Sequence, residues 1–149
     1  MTHLTPPDGF RHHLPMPVRW GDMDALGHVN NATYLTYLEQ ARLTYFNDLG
    51  LWDASVNQLG LIMAKVVLDY KLPLVSTDDV HVFTRTARLG GKSFDTEQVI
   101  VRRVGEQLET AAHGIITLVV FDYQANRSTA IPHAWRDKLI SYEPVPIQT

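Results

Sequence analysis

Two periodicities divide the chain. Between Ala32 and Asp48 the apolar positions Tyr34, Leu38, Ala41 and Tyr45, flanked by Leu35 and Phe46, recur at the three-to-four-residue spacing of a helix that buries one face. Asn30 and Asn31 stand where side-chain oxygens can accept from the unpaired amides of a first turn. Gly50 stands where a helix ends in a left-handed residue. Neither Asn is followed three places later by Glu or Gln, so no capping box is expected. A helix of this length would run about 25 Å at 1.5 Å per residue, enough to lie along the face of a sheet.

From Leu61 the period becomes two. Ile62, Ala64, Val66, Leu68, Tyr70 and Leu72 share one face, while Lys65, Asp69 and Lys71 take the other, which predicts a long half-buried strand. Three further strands are expected at Asp79 to Leu89, Ser93 to Arg103 and Gln107 to Phe121, joined by the hairpin turns Gly90-Gly91 and Gly105-Glu106. Upstream, an irregular lead-in up to residue 13 precedes a first strand from Leu14 to Trp20, which Pro15 and Pro17 confine to a sheet edge. Downstream, Ile131 to Ile140 reads as a short helix with Pro132 in its first turn, and Pro144 and Pro146 mark a loose tail over about 141–149. One strand, a long helix and a meander of strands argue an α+β fold. In it the helix packs on one face of a strongly curved antiparallel sheet of five or six strands, as a single domain over 1–149.

Composition narrows the partners. The chain has 149 residues, 45% of them hydrophobic, in the range where one domain buries a sizeable core. A net charge of −3 with interleaved signs gives no broad cationic surface, so nucleic acid is not an expected partner, although a local basic rim could meet a small anion. The absence of cysteine removes disulfides, thiolate metal sites and a thiol nucleophile, and fits a reducing compartment. No run approaches the ~20 apolar residues of a membrane span, and the N-terminus lacks a signal-peptide pattern; a soluble, cytoplasmic protein is expected. His3, His12, His13, His81, His113 and His133 show no metal-ligating spacing, so no metal or cofactor is expected. Gly91-Lys92-Ser93 has Thr86 where a phosphate loop needs its first glycine, and no Gly-x-Ser-x-Gly elbow exists.

The chemistry concentrates in Asp22, Asp24, His28, Asn30 and Asn31, on the loop that feeds the helix. A helix N-terminus offers unpaired amides and the positive end of a dipole, so an oxyanion forming there is stabilised without rearrangement. A carboxylate on the same loop could attack a carbonyl or activate water. The bland reading of Asp24 is a turn carboxylate closing its own loop, the favoured reading of Asp22.

The run Trp20 to Arg42, W-G-D-M-D-A-L-G-H-V-N-N-A-T-Y-L-T-Y-L-E-Q-A-R, resembles the signature of 4-hydroxybenzoyl-CoA thioesterase-like hotdog proteins, and its His-Val-Asn-Asn form is most similar to their bacterial acyl-CoA thioesterase branch. The resemblance implies a hotdog fold and hydrolysis of acyl-CoA to a carboxylic acid and CoA. It places the catalytic carboxylate on Asp24, as nucleophile or general base, and the oxyanion donor on the backbone amide of Asn31. His28 is a further catalytic candidate, read equally as a residue that closes the loop, and Asn30 is a cap or a substrate contact. The family's Gly-rich turn near CoA phosphates makes Arg88, Lys92 and Ser93 candidates, with Arg102 and Arg103 behind them. Tyr34 is a candidate ligand contact, although it, Tyr37, Tyr45 and Phe46 also read as core or dimer residues.

The same resemblance implies a homodimer with the acyl-CoA at the subunit boundary, and tetramers in some relatives. Glu39 and Arg42 read as an exposed i, i+3 pair, with a catalytic Glu39 as the alternative drawn from another hotdog subgroup. A hydratase or dehydratase on the same fold and a non-catalytic acyl-CoA sensor are the competing functions. Acyl preference would depend on how Leu38 and Leu59 meet the partner.

Overall fold

The computed structural model describes residues 4–51 and 59–149; His3 lies outside them. The order is β1 (His12–Pro15), a 3-10 turn (Trp20–Asp22), α1 (Asn31–Asp48), β2 (Leu59–Tyr70), β3 (Asp79–Leu89), β4 (Ser93–Val104), β5 (Gln107–Asp122), β6 (Arg127–Ser128) and α2 (His133–Tyr142). The sheet is antiparallel, in the order β1-β3-β4-β5-β2, with β6 added to β5. This is the hotdog arrangement of a long helix against a curved sheet that the sequence pattern and its resemblance imply.

Helix α1 forms where its periodicity places it. Its buried side chains, Tyr34, Tyr37, Leu38, Ala41, Arg42, Tyr45 and Phe46, follow the spacing of a single face, and that face lies over β1, β3 and β4. The Asn30 side chain accepts from Ala32 N at 2.9 Å, and Gly50, at φ +70°, takes the chain out of the helix. The main core fills the space between helix and sheet, with Leu38, Ala41, Tyr45, Ile100 and Ile116 fully enclosed. A smaller cluster of Phe83, Val99 and Val101 lies apart from it, covered by Leu4 and Phe10 of the lead-in.

Four expectations need correction. The first strand is His12–Pro15, two residues earlier than expected and ending before Trp20. It does sit at the sheet edge, but Pro15 and Pro17 remove two amide donors. Met16 N makes a last bond to Val80 O at 2.8 Å, after which the chain leaves the sheet. The alternation in β2 does not run through: the register against β5 shifts between Met63 and Lys65. Before that bulge Leu59 and Leu61 pack on the core, and after it Val66 and Leu68 do, so Ile62 and Ala64 are exposed rather than inward. Helix α2 starts at His133 with Pro132 as its N-cap, and runs past Ile140 to Tyr142.

The tail, fourth, is not loose. Glu143 is buried and accepts from the Tyr45 hydroxyl at 2.6 Å. Farther on, Leu89 N donates to Gln148 O at 2.8 Å and Gln148 N to Ala87 O at 3.1 Å, so the last residues run beside β3. Pro144 and Pro146 keep the chain from continuing the helix, but an extended segment tolerates them, and Ile147, just before the bonds made by Gln148, packs against the core.

Candidate active site

The loop between the 3-10 turn and α1 is a tight hairpin anchored at both ends. Met23 and Val29 bridge, Asp24 N donates to His28 O at 2.7 Å, and Gly27 N donates to Asp24 O at 3.1 Å. Gly27 sits at φ +81°, a conformation that a side chain resists, so the turn depends on glycine here. The base is pinned from below: Val29 N reaches Leu74 O at 2.8 Å, and Asn30 N reaches Asp22 O at 2.9 Å.

Asp22 is the peg of this loop. It is buried, and its Oδ2 accepts from the Tyr37 hydroxyl of α1 at 2.6 Å and from Arg19 N at 2.9 Å. Burial alone would raise its pKa, but the Tyr37 hydroxyl, the Arg19 amide and the Arg19 charge together hold it below the ordinary carboxylate range. The same contact, with burial foremost, drives the Tyr37 phenol well above its usual value. Asp22 is thus an ionised structural anchor that fixes the loop to the second turn of the helix.

Asp24 is exposed at the hairpin tip. Its Oδ1 accepts from Leu26 N at 2.9 Å and His28 N at 3.3 Å, which orients the carboxylate. Its Oδ2 accepts from none of the described residues and stays open for chemistry. His28 is exposed, and its ring makes no hydrogen bond to the described residues. The hairpin is held by His28's backbone rather than its imidazole, so the loop-closing role expected of this residue belongs to its main chain.

At the helix start the amides have unequal fates. Ala32 N is shared by Asn30 Oδ1 at 2.9 Å and Asn31 Oδ1 at 3.0 Å, and Thr33 N donates to Asn30 O at 2.9 Å. Asn31 N donates to nothing among the described residues, leaving it as a first-turn amide with its hydrogen bond unspent. Beside it lies a groove of about 340 Å³ lined by Asn31, Tyr34, Tyr70, Leu72 and Pro73 among others. Tyr70 reads in the sequence only as a strand residue, yet its hydroxyl donates to Asn31 O at 2.8 Å and holds the first helical peptide against the end of β2. Tyr34 lines the groove with its ring, 5.0 Å from that of Tyr70, while its hydroxyl is committed to Leu72 O at 3.0 Å.

The basic rim lies elsewhere. Ser93 pairs with Val119, and Val119 with Ile62, eight residues along β2 from Tyr70, so within one protomer the β3–β4 turn is roughly 25 Å from the Asn31 groove. Arg88 there is engaged with Asp95, at 2.8 and 3.0 Å, and with Ser93 Oγ at 3.1 Å. Those bonds hold Asp95 below the ordinary carboxylate range against the effect of its burial. Lys92 is exposed, with no ion pair among the described residues. Arg102 is paired with Glu109 at 2.9 Å, and Arg103 donates to Gly105 O at 3.0 Å. One chain does not bring this turn to Asp24; a second chain would have to.

Arg42 corrects the expectation of a surface pair with Glu39. It is 6% exposed, turned inward from α1, and donates to Gln98 Oε1 on β4 at 3.2 Å. No periodicity could signal this, because the partner lies 56 residues on. Glu39 remains exposed on the helix surface.

Residues 18–139 match the thioesterase-like superfamily. The long-chain acyl-CoA thioesterase FadM of Escherichia coli strain K12 is 31% identical over 124 residues, which span 82% of this chain and 92% of that protein. A thioesterase from Thermus thermophilus, solved in complex with coenzyme A and zinc, is 32% identical with a TM-score of 0.81, covering 95% of this chain and 100% of that one. A thioesterase superfamily structure from Jannaschia sp. CCS1 is 25% identical with a TM-score of 0.82, covering 91% and 84%.

Proposed function

The chain belongs to the thioesterase-like superfamily, and from that premise we propose that it hydrolyses acyl-CoA thioesters, with Asp24 as the catalytic carboxylate and the Asn31 amide as oxyanion donor. The observation that carries this reading is the unspent Asn31 N–H at the mouth of a groove, on the same short loop as a carboxylate with one open oxygen. A thioester carbonyl placed on that amide is polarised by an N–H already aimed and by the helix dipole behind it. Asp24 then takes a proton from water as the water adds to the carbonyl carbon, or adds directly to give an acyl-enzyme anhydride that water opens. In both routes the C–S bond breaks as the oxyanion collapses: in the first, CoA leaves as the thiol with the proton that Asp24 took from water; in the second, it leaves as the thiolate and is protonated from solvent, and water then opens the anhydride to the acid and free Asp24. Tyr34 lines the groove, and Asn30 and His28, on the same loop as Asp24, are its further candidate contacts. Arg88, Lys92 and Ser93 enter only as the rim contributed by a second chain.

A homodimer supplies that second chain. The open edge of β2 shows Ile62, Met63, Val67 and Tyr70, and the neighbouring surface of α1 adds Leu35 and Leu43, an apolar strip beside unpaired strand amides and carbonyls. Pairing two such edges would remove both liabilities at once. Stacking of dimers into a tetramer and residence in the cytoplasm complete the proposal. Among the described residues no helix is long and apolar enough to cross a membrane, and the lack of cysteine fits a reducing compartment.

The test is release of free thiol from aromatic, short-chain and long-chain acyl-CoAs by the wild type and Asp24→Asn. Turnover is expected to fall by roughly 10²- to 10⁴-fold in the variant, with melting temperature and dimer unchanged. Binding without turnover across the panel would support a sensor in place of an enzyme, and activity surviving in Asp24→Asn would remove Asp24 from the mechanism.

A further inference from the structure

Farther along α1 a second groove, about 200 Å³, opens between the helix and β2 and β5, walled by Leu43, Phe46, Leu61 and Leu118, with Arg42 and Glu39 as its polar members. Arg42 is an anomaly in such a place. A guanidinium has five N–H donors, and this one, 94% withdrawn from solvent, spends one of them among the described residues, at Gln98 Oε1. Gln98 cannot turn to offer more: its Nε2 donates to Leu38 O at 2.9 Å and Thr84 Oγ1 at 3.0 Å, which fixes Oε1 as the acceptor for Arg42. No carboxylate among the described residues comes within ion-pair distance of Arg42, and Glu39 acts on it through charge alone. Arg42 lines the groove, and its remaining nitrogens are not sealed off, so water or a ligand entering there can accept from them.

We propose that this groove selects an acyl chain carrying a hydroxyl far from the thioester, the hydroxyl accepting from Arg42 and donating to Glu39. The inference rests on the acyl-CoA reading above and specifies its substrate. The chemistry follows from the pair of polar groups. A bare alkyl chain leaves the Arg42 donors unpaired in an apolar wall, and a terminal carboxylate brings a negative charge against Glu39. A hydroxyl alone, as donor and acceptor together, satisfies both side chains without a net charge. Position follows from the helix: Arg42 is eleven residues beyond Asn31 on α1, roughly 16 Å at 1.5 Å per residue. A ring or a hydroxyl adjacent to the thioester carbonyl does not span that length.

The experiment is calorimetric binding of non-hydrolysable 2-oxoalkyl-CoA thioethers matched in length, with an unsubstituted end, a hydroxyl near the sulfur, a terminal hydroxyl or a terminal carboxylate. Wild type is expected to bind the terminal hydroxyl roughly ten- to a hundred-fold more tightly than the unsubstituted chain. Arg42→Met and Glu39→Met, which remove the donor and the acceptor respectively, should each bring that preference to within about twofold. No preference in wild type, a preference for the carboxylate or for the near hydroxyl, or a preference that survives in the variants overturns the proposal. Should Arg42→Met fail to fold, Glu39→Met, a change at an exposed position, decides alone. Because the readout is binding, a protein that prefers the distal hydroxyl yet hydrolyses nothing sinks the thioesterase reading and leaves this one. Hydrolysis without the preference does the reverse.

Discussion

The two ends of α1 are built on opposite principles. At its start the capping and turn contacts are local and at the surface: Asn30 and Asn31 serve Ala32 N, Asp24 is held by amides two and four residues on, and Gly27 makes the turn. Toward its end the polar groups are buried and their partners distant. Tyr45 is bonded to Glu143 and Thr86, and Arg42 to Gln98, across 41 to 98 residues of chain. The first end keeps a backbone amide unspent and can be altered at small cost in stability; the second ties the helix to the sheet and the tail through Tyr45 and through the bond from Arg42 to Gln98. Function should therefore separate from stability along a single helix.

The largest effect that would break this contrast is on the Asn31 amide. Asn31 is the first residue of α1, where proline is accepted, and Asn30 is at φ −58° and ψ 137°, the extended conformation that a residue before proline prefers. Asn31→Pro should thus keep the helix while deleting the one N–H proposed to hold the oxyanion. Turnover should drop by roughly 10²- to 10³-fold, the cost of one such donor, with thiol release as the readout. Asn31→Ala, which keeps the amide, should stay within a few-fold of wild type. Equal activity in both would take the oxyanion role away from this end of the helix.

At the other end Tyr45→Phe should do the opposite. It strips the hydroxyl from a buried carboxylate and from Thr86, and should cost about 2 kcal/mol in denaturant unfolding, with the kcat of the remaining folded enzyme unchanged.

These two ends are not equally legible in the sequence. The helix, the hairpins at Gly90-Gly91 and Gly105-Glu106, and the edge position of the first strand follow from period, glycine and proline, which act over a few residues. The bulge in β2 changes which face is inward without changing the local composition, so strict alternation assigns Ile62 and Ala64 to the wrong side. Arg42 and Glu143 are misplaced by sequence for a related reason. Both are charged residues in surface-like surroundings, and what draws them inward is a Gln or Tyr that chain separation hides. Tyr70 is visible as a strand residue, but its bond to Asn31 O arises only once β2 is docked beside the helix start.

Glu143 sharpens the comparison through pH. Burial raises its pKa, against the Tyr45 hydroxyl, the Thr86 amide and the charges of Arg85 and Arg11, so the folded state holds the proton more tightly than the unfolded chain. The stabilisation from protonation is complete below the ordinary glutamate value of about 4.3 and is lost as pH climbs from there through the raised folded value. Glu143→Gln, which keeps an oxygen for Tyr45 and carries no charge, should melt higher than wild type at neutral pH. That advantage should shrink as the pH falls toward the ordinary carboxylate range. A difference between the two proteins that does not vary with pH in thermal melts would show that the carboxyl is not buried as ionisable.

The smallest effect is at the cap. Replacing an N-cap Asn by Ala costs about 1 kcal/mol in general, but here Ala32 N has two acceptors, so the loss of either can be covered by the other. Asn30→Ala should therefore cost about half the usual figure, and Asn31→Ala less. The double variant should cost more than the sum, because only then does the amide lose both oxygens. A double-mutant cycle read by urea unfolding measures that coupling. If the single costs simply add, the two Asn side chains are not interchangeable acceptors, and Asn31 has been held at the helix start by something other than capping.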